Sequence, residues 1–220
     1  MFLPSQLIEA RPPSLAGFGS ISSIDKFDAA MTPFAFNKGL DTAGDVMQIA
    51  GMALSAIALI PGLQHWNESG GMTGSRGWDS VLTFGAMYAE AFMLTAGTKD
   101  LLKLAVRRYR PYTHYGNGSS PYIPAGEEDD YYLSFPSGHS AYAFMSASFL
   151  SAYMLWDWEE SGGDAKWKWP VIIGSYLLAG TVAGLRIAAG AHYMTDVLAG
   201  AAIGSLYGWL VPVLHLKLRI

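Results

Sequence analysis

The chain lacks cysteine, has few charges and contains no long basic run, and each of these absences removes a class of protein. With no cysteine among its 220 residues, it can form no disulfide, no thiolate nucleophile and no cysteine-ligated zinc site. Only 15% of the residues are charged, against about a quarter in an ordinary soluble domain. The formal net charge is −4, and the composition gives no case for a nucleic-acid partner.

The N-terminus lacks the basic region and apolar run that mark a cleavable signal peptide. Membrane insertion is therefore expected to rely on apolar segments within the chain. Four apolar residues are spaced to share one face of a short early helix: Ile24, Phe27, Met31 and Phe34. Such a helix would lie at a membrane interface, pack on a bundle, or cover the core of a soluble protein.

Apolar sequence is what the chain has in abundance, since 51% of its residues are hydrophobic. Long stretches with almost no charge occupy positions 46–64, 80–98, 140–156, 169–185 and 197–216. At about 1.5 Å per residue in a helix, the shortest of them extends about 25 Å, close to the roughly 30 Å hydrocarbon core of a bilayer. Five such stretches are better explained as membrane spans than as buried helices of a soluble bundle.

This pattern predicts an all-α integral membrane helical bundle of about five to six spanning helices in a single domain. Residues 1–42 would form an N-terminal interfacial segment, and residues 43–214 the transmembrane bundle. Glycines spaced four apart favour close helix packing in lipid, and they occur at Gly180/Gly184 and at Gly200/Gly204/Gly208. The distribution of lysine and arginine between the loops leaves the orientation open.

Three polar groups of the kind used in catalysis lie within an apolar segment: Arg186, His192 and Asp196. On a continuous helix, the spacing of His192 and Asp196 would place both on one face. The carboxylate would then accept the Nδ1–H and leave Nε2 as a nucleophile. Arg186, just before a break at Gly190, can hold two oxygens of a phosphate-like anion. The same residues are equally compatible with a buried structural pair and an arginine at a membrane edge.

A basic cluster follows the second apolar stretch. Lys103, Arg107 and Arg110 have helical spacing and would share one face, and Pro111 favours a helix end nearby. Cations stacked at a helix end attract an anion, and Lys103 and Arg110 are the candidates for that role. Arg107 and Arg108 are interpreted instead as basic residues that anchor the chain to lipid headgroups.

The segment Pro136-Ser137-Gly138-His139 precedes the third apolar stretch. Proline and glycine shape a tight turn, after which the N–H groups of the first helical turn and the helix dipole favour an anion. Ser137 adds a hydroxyl donor, and His139 can pass a proton to a leaving oxygen. The three motifs together predict one anion site, built from separate helices at one membrane interface.

In order and spacing, these motifs resemble the signature of the type 2 phosphatidic acid phosphatase (PAP2) superfamily. The first block is a lysine, six residues and Arg-Pro (Lys103 to Arg110-Pro111), the second is Pro-Ser-Gly-His (136–139), and the third is an arginine, five residues, a histidine, three residues and an aspartate (Arg186, His192, Asp196). One departure is visible, because the third block often begins Ser-Arg and Leu185 precedes the arginine here.

The resemblance implies a role for each motif residue. His192 would attack phosphorus and form a phosphohistidine intermediate, Asp196 would orient His192, and His139 would protonate the leaving group. The phosphoryl oxygens would be held by the remaining motif residues, Lys103, Arg110, Ser137, Gly138 and Arg186. The family implies no metal and no cofactor.

Membrane placement and the resemblance together favour a membrane lipid as substrate: phosphatidic acid, phosphatidylglycerol phosphate, a polyprenyl diphosphate or a phosphorylated lipid A. Residues 112–135 would form an active-site loop, and its acidic run at 127–130 is interpreted as solvated. Glu90, inside the second apolar stretch, is either functional or paired with a neighbouring helix. Bacterial members of the family imply an inner-membrane location with the site facing the periplasm, and the oligomeric state stays open.

Four alternative functions remain open. A lipid phosphotransferase would form the same intermediate and pass the phosphoryl group to an alcohol. Vanadium haloperoxidases share the anion pocket, but they are typically larger and soluble. Soluble acid phosphatases of the same superfamily usually carry a cleaved signal. A non-catalytic lipid-binding or transport protein would not need His139, His192 and Asp196 intact.

Overall fold

The structure is a computed structural model that describes residues 26–30, 35–60, 75–115, 121–156, 158–159 and 163–217. Three members of the predicted early helix face, Ile24, Met31 and Phe34, lie outside the described residues.

Six α-helices account for most of the described residues. They are α1 (Lys26–Ala30), α2 (Lys38–Leu54), α3 (Ser75–Val106), α4 (Gly138–Trp156), α5 (Lys168–Ala188) and α6 (Met194–Pro212). A 3-10 turn extends α2 over Ser55–Leu59, and a π turn extends α6 over Val213–Lys217. Each predicted apolar stretch falls, in its described part, within one of the five long helices or its terminal turn. The prediction of an all-α chain is confirmed.

Three helical segments in the described ranges are long and apolar enough to cross a membrane. They are Lys38–Leu59, Ala165–Ala188 and Met194–Leu216. The first begins at Lys38, ahead of the predicted boundary between residues 42 and 43, because Asn37 caps α2 by accepting the Leu40 N–H at 3.1 Å.

The central helix of the bundle is α4, which contacts α2, α3, α5 and α6. Its closest neighbour is α6, and the glycines of α6 explain that approach. A side chain at Gly200, Gly204 or Gly208 would collide with the backbone of α4, which confirms the packing role predicted for this series. The same prediction is wrong for Gly180 and Gly184, where an added Cβ would meet no atom of the described chain within 4 Å.

Glu90 of α3 pairs with a neighbouring element. Its Oε2 lies 2.8 Å from Nε2 of His215, in the turn that follows α6. This contact fits the structural interpretation of the intramembrane acid.

The five long helices alternate in direction, so their ends gather at one end of the bundle. Backbone hydrogen bonds join the segments there. The Asn37 N–H donates to the Ala189 carbonyl at 3.1 Å, the Ser137 N–H to the Asp196 carbonyl at 2.9 Å, and the Ser134 N–H to the Arg108 carbonyl at 2.9 Å. The starts of α2, α4 and α6 therefore meet the ends of α3 and α5, and every motif residue lies at this end.

Candidate active site

Helix α3 ends earlier than predicted. Arg107 adopts φ +48° in the left-handed region and its N–H closes the last turn on the Lys103 carbonyl at 3.0 Å, a conformation typical of helix ends. Arg110 is therefore not on the helix, and the prediction that it shares a helix face with Lys103 is wrong. The two cations still converge, because both contact Asp130: Lys103 Nζ lies 3.4 Å from Oδ1, and Arg110 Nη2 bonds to Oδ2.

Helix α5 ends at Ala188, and Gly190 then turns the chain toward α6. Gly190 has φ +67°, its N–H donates to Ile187, and the Ala191 N–H donates to the Arg186 carbonyl. This is the pattern of a glycine-terminated helix. His192 consequently lies in the connection before α6, and the prediction that it shares a helix face with Asp196 is wrong. Its N–H donates to the Arg186 carbonyl at 3.3 Å. This hydrogen bond keeps the backbones of two residues of the third motif in contact.

Asp196 is fully buried and is fixed by several donors. In the first turn of α6, its Oδ2 accepts the Tyr193 N–H at 2.9 Å and the Ser134 hydroxyl at 2.5 Å. Its Oδ1 accepts Arg108 Nη1 at 2.7 Å. His192 Nδ1 lies 3.7 Å from Oδ2 and 3.5 Å from Ser134 Oγ. The carboxylate thus lies on the Nδ1 side of the imidazole, as predicted, although through a helix-capping geometry.

Arg108 is a central part of this cluster, so its interpretation as a lipid anchor is wrong. One guanidinium nitrogen donates to Asp196, and the other donates to Asp28 of α1 at 2.6 Å. Its guanidinium also lies 3.9 Å from the ring centre of Tyr193. Asp28 in turn accepts the Thr195 N–H at 3.0 Å. Helix α1 therefore packs on the bundle at the start of α6, which is one of the placements considered for it.

The other imidazole nitrogen of His192 faces Arg110. Nε2 lies 3.2 Å from Arg110 Nη1, which also donates to the Ala191 carbonyl at 3.1 Å. Burial, with the charge of Arg110, lowers the pKa of His192 to about 3. The imidazole is therefore neutral at ordinary pH, and Nε2 keeps the lone pair that a nucleophile needs.

His139 and Arg186 form a second cluster. Arg186 Nη1 lies 3.2 Å from His139 Nε2. Two carboxylates of α2 complete the cluster. Asp41 Oδ1 lies 3.1 Å from Arg186 Nη1, and Asp45 Oδ1 lies 2.6 Å from His139 Nε2. A side chain at Gly44 would collide with the guanidinium, so this glycine lets Arg186 lie against α2.

Arg186 retains an unused donor. The side chain is buried, and its Nε has no hydrogen-bond partner within the described ranges. A buried, unpaired donor on a cation costs free energy unless an acceptor binds there. The Ser137 N–H, two residues before His139, donates to the Asp196 carbonyl at 2.9 Å, so the backbone joins the second cluster to the first. An anion between them would satisfy this donor.

The interpretation of the acidic run as a solvated loop is wrong for Asp130. Its side chain is one-third exposed and lies between two of the predicted phosphate-binding cations, Lys103 and Arg110. Burial opposes its ionisation, but the two cations outweigh that effect and hold the pKa of Asp130 at about 2. The carboxylate is therefore ionised at any ordinary pH.

The Pro-Ser-Gly-His segment lies as predicted at the start of α4, which begins at Gly138. Ser137 is fully buried, and its N–H is used by the Asp196 carbonyl. Its Oγ accepts the Ser140 hydroxyl at 3.1 Å, which leaves its own proton for another acceptor. In the described part of the chain, no group of three or more His, Asp or Glu side chains is arranged to hold a metal ion.

Sequence reasoning missed six polar residues of the site, of which Asp130 is described above. Ser134 lies just before the second motif, and Arg108 lies inside the first; the polarity of Ser134 beside an apolar stretch is a usable signal. Asp41 and Asp45 are spaced one helical turn apart at the start of an apolar segment, which marks one face of a helix. Asp28 gave no signal, because nothing in its local sequence relates it to α6.

The structure is an all-α bundle with two histidines and three cations at one end. These features place the chain in a class of helical proteins suited to bind a tetrahedral anion. The chain belongs to the PAP2 superfamily, whose pattern matches residues 84–220. That range is more than half of the chain and includes all three motifs. Helix α2 lies before it.

Two individual proteins are similar to the chain. A PA-phosphatase related-family protein of Dictyostelium discoideum is 34% identical over 125 residues, which are 56% of this chain and 45% of that relative. The chain thus spans about half the length of that relative. A transmembrane PAP2-type phosphatidylglycerolphosphate phosphatase from Bacillus subtilis, known as a crystal structure, is 19% identical. It aligns with a TM-score of 0.46 over 90% of this chain and 96% of its own.

Proposed function

We propose that the chain is an integral membrane phosphatase that hydrolyses a lipid phosphate monoester or diphosphate through a phosphohistidine intermediate. The observation that carries this proposal is the state of His192. Its neutral Nε2 faces the cation Arg110, while the Asp196 carboxylate lies on the opposite nitrogen. The cation can hold the phosphoryl group, and the carboxylate can stabilise the imidazolium that forms. This arrangement suits attack of Nε2 on phosphorus.

In the first step, His192 Nε2 would form a bond to phosphorus as the bond to the leaving oxygen breaks. His139 would give a proton to that oxygen, so the leaving group departs as a neutral alcohol or as a protonated phosphate. In the second step, a water molecule would attack the phosphohistidine and lose its proton to His139. The products are inorganic phosphate and both histidines in their starting states.

The three cations have the electrostatic role that this chemistry needs. A phosphoryl group in transfer spreads negative charge over its equatorial oxygens. Lys103, Arg110 and Arg186 would meet these oxygens, and the unpaired Arg186 Nε supplies a donor that no described protein atom uses. Ser137 and the Gly138 N–H would complete the cradle at the start of α4. Fixed donors of this kind stabilise the transition state because they need no reorganisation.

In this proposal, all five long helices, α2 to α6, lie in the bilayer, and the site lies at one membrane interface. A lipid would present its phosphate to the helix ends while its tails remain in hydrocarbon. The supporting observation is the gathering of the site at a single end of apolar helices. Placement in a bacterial inner membrane, with the site facing the periplasm, rests on the family resemblance alone.

The test is phosphate release by the purified protein in detergent with EDTA present. The panel contains phosphatidic acid, phosphatidylglycerol phosphate, a polyprenyl diphosphate and a phosphorylated lipid A. We expect at least one to be hydrolysed, and His192→Ala to lower turnover at least about 10³-fold on every member, because it removes the nucleophile.

His215→Ala is the matched control, since it makes the same substitution at a histidine that pairs with Glu90 away from the motifs. It should keep most of the activity. Full activity of His192→Ala, or no phosphate release from any substrate by the parent protein, would rule out the proposed reaction. Transfer of the phosphoryl group to an added alcohol without free phosphate would favour the phosphotransferase alternative.

A further inference from the structure

We infer that Asp45 of α2 is a positioning residue that orients His139 and favours its protonated form as the general acid. This inference rests on the proposed function, because it assigns a role within that reaction. Asp45 belongs to none of the three motifs and lies before residue 84, where the family match begins. It would give the second histidine of the site a carboxylate partner, as Asp196 is for His192.

The geometry of Asp45 is that of a histidine partner. Its Oδ1 lies 2.6 Å from His139 Nε2, a short charge-assisted hydrogen bond. The same oxygen lies 3.3 Å from Arg186 Nη1. One carboxylate oxygen therefore contacts both the proposed acid and a cation that would bind the phosphoryl group.

The charges around His139 explain why it needs this partner. A guanidinium 3.2 Å from an imidazole nitrogen opposes protonation of the ring, and here that guanidinium is Arg186. A general acid must carry a proton when the substrate binds. Burial of the ring opposes protonation as well. The carboxylate of Asp45, closer to the ring than Arg186, acts against both effects and favours the imidazolium.

Asp45 also determines which nitrogen of the His139 ring gives its proton to the leaving oxygen. Because Nε2–H donates to Asp45, the proton available to a leaving oxygen is the one on Nδ1. That nitrogen lies 3.4 Å from Arg186 Nη1, so a phosphate oxygen bound by Arg186 would lie near it. A carboxylate that fixes one ring nitrogen determines the chemistry of the other.

Asp41 offers an internal comparison one helical turn earlier. It contacts Arg186 at 3.1 Å and Lys38 at 3.2 Å, and its carbonyl also accepts from Arg186. In the part of the chain that the structure describes, the side chain of Asp41 thus pairs with cations, and His139 pairs with Asp45 instead. Asp41 should support phosphate binding by Arg186, whereas Asp45 should also support proton transfer.

The experiment compares Asp45→Asn with Asp41→Asn on two substrates. One is a lipid phosphate hydrolysed by the parent protein, whose alkoxide must be protonated to leave. The other is p-nitrophenyl phosphate, whose phenolate leaves without a proton. We expect Asp45→Asn to lower kcat on the lipid at least about tenfold more than on p-nitrophenyl phosphate, since it weakens a general acid. Asp41→Asn should affect both substrates by the same factor, mainly through KM.

Asp45→Glu and thermal melting in detergent separate positioning from folding. The glutamate variant keeps the carboxylate and should recover at least part of the selective loss. Equal losses of Asp45→Asn on the two substrates, or no loss, would overturn the inference. If Asp45→Asn does not fold, the decision passes to Asp45→Glu, for which an equal loss on both substrates overturns it and a selective loss supports it. A parent protein inactive on every substrate would instead remove the proposed function.

Discussion

The two histidines of the site have contrasting surroundings. The nucleophile cluster is closed, with 1% of the His192 side chain and none of the Asp196 side chain exposed. The acid cluster is open, with 30% of the His139 side chain and 46% of the Asp45 side chain exposed. A closed nucleophile keeps one protonation state and one orientation, whereas an open acid can receive leaving groups of different shape.

The two clusters also differ in where their carboxylates come from. Asp196 belongs to the third motif and is held by Arg108, inside the first motif, and by Ser134, just before the second. Asp41 and Asp45 come from α2, outside the family match. The carboxylate partner of the nucleophile thus comes from within the motif region, with Asp28 of α1 as a further contact of Arg108. The carboxylate partner of the acid comes from a helix that precedes that region. Specificity for the leaving group is therefore expected to vary with α2.

The substitution His139→Ala tests the distinction between the two clusters, and among such tests it has the largest expected effect on activity. Removing a general acid typically costs about 10²- to 10⁴-fold in rate. We expect a loss in that range on a lipid phosphate and a much smaller loss on p-nitrophenyl phosphate, because only the lipid alkoxide needs a proton. The measurement is kcat for each substrate with the purified variant.

His192→Ala is the reference for that experiment, since loss of the nucleophile should lower hydrolysis of both substrates equally. If His139→Ala also lowered both by the same factor, the second histidine would not be the acid. The distinction between a nucleophile cluster and an acid cluster would then fail.

The parts of the site that could be predicted from sequence are those that local spacing determines. The motif residues lie at the ends of apolar stretches, and apolar stretches of this length form helices in lipid. Antiparallel neighbours then bring Lys103, His139 and Arg186 to one end of the bundle. The glycine series at 200, 204 and 208 similarly fixes the packing of α6 on α4.

The parts that could not be predicted depend on backbone breaks and long-range partners. Helical spacing assumed a continuous helix through Arg107 and through Gly190, yet both have positive φ and end their helices. The charge of Arg108 is compatible both with a lipid anchor and with a buried ion pair. Sequence could not decide between these roles, because its partner Asp28 is 80 positions away. For the same reason, the acidic run gave no sign that Asp130 would bind the two cations of the first motif.

A smaller effect, on activity and stability together, is expected from Arg108→Gln. The substitution leaves the buried carboxylates of Asp28 and Asp196 without their shared cation. Breaking a buried ion pair from one side costs about 3–5 kcal/mol, and the partial exposure of Arg108 favours the low end, about 3 kcal/mol. Because Asp196 also loses one anchor, kcat should fall about tenfold. The checks are the melting temperature in detergent and kcat on the lipid substrate.

Arg107→Gln is the matched control, because it makes the same change at the preceding arginine, whose Nε donates to the Leu104 carbonyl at the end of α3. It should shift the melting temperature and kcat less than Arg108→Gln does. Equal effects of the two substitutions would restore the interpretation of Arg108 as one member of a general basic anchor.

The smallest effect concerns Asp130, which occupies the cations that a phosphate would use. With its pKa at about 2, Asp130 is ionised at every assay pH and competes with a bound anion for Lys103 and Arg110. Asp130→Asn keeps the size of the side chain and removes the charge, so the inhibition constant of inorganic vanadate, a phosphate analogue, should fall a few-fold. Asp129→Asn removes the same charge from an exposed neighbour and should change that constant less. A weaker affinity for vanadate in Asp130→Asn would mean that Asp130 holds the cations in place for the anion, and the first motif would then depend on a positioning carboxylate as the acid cluster does.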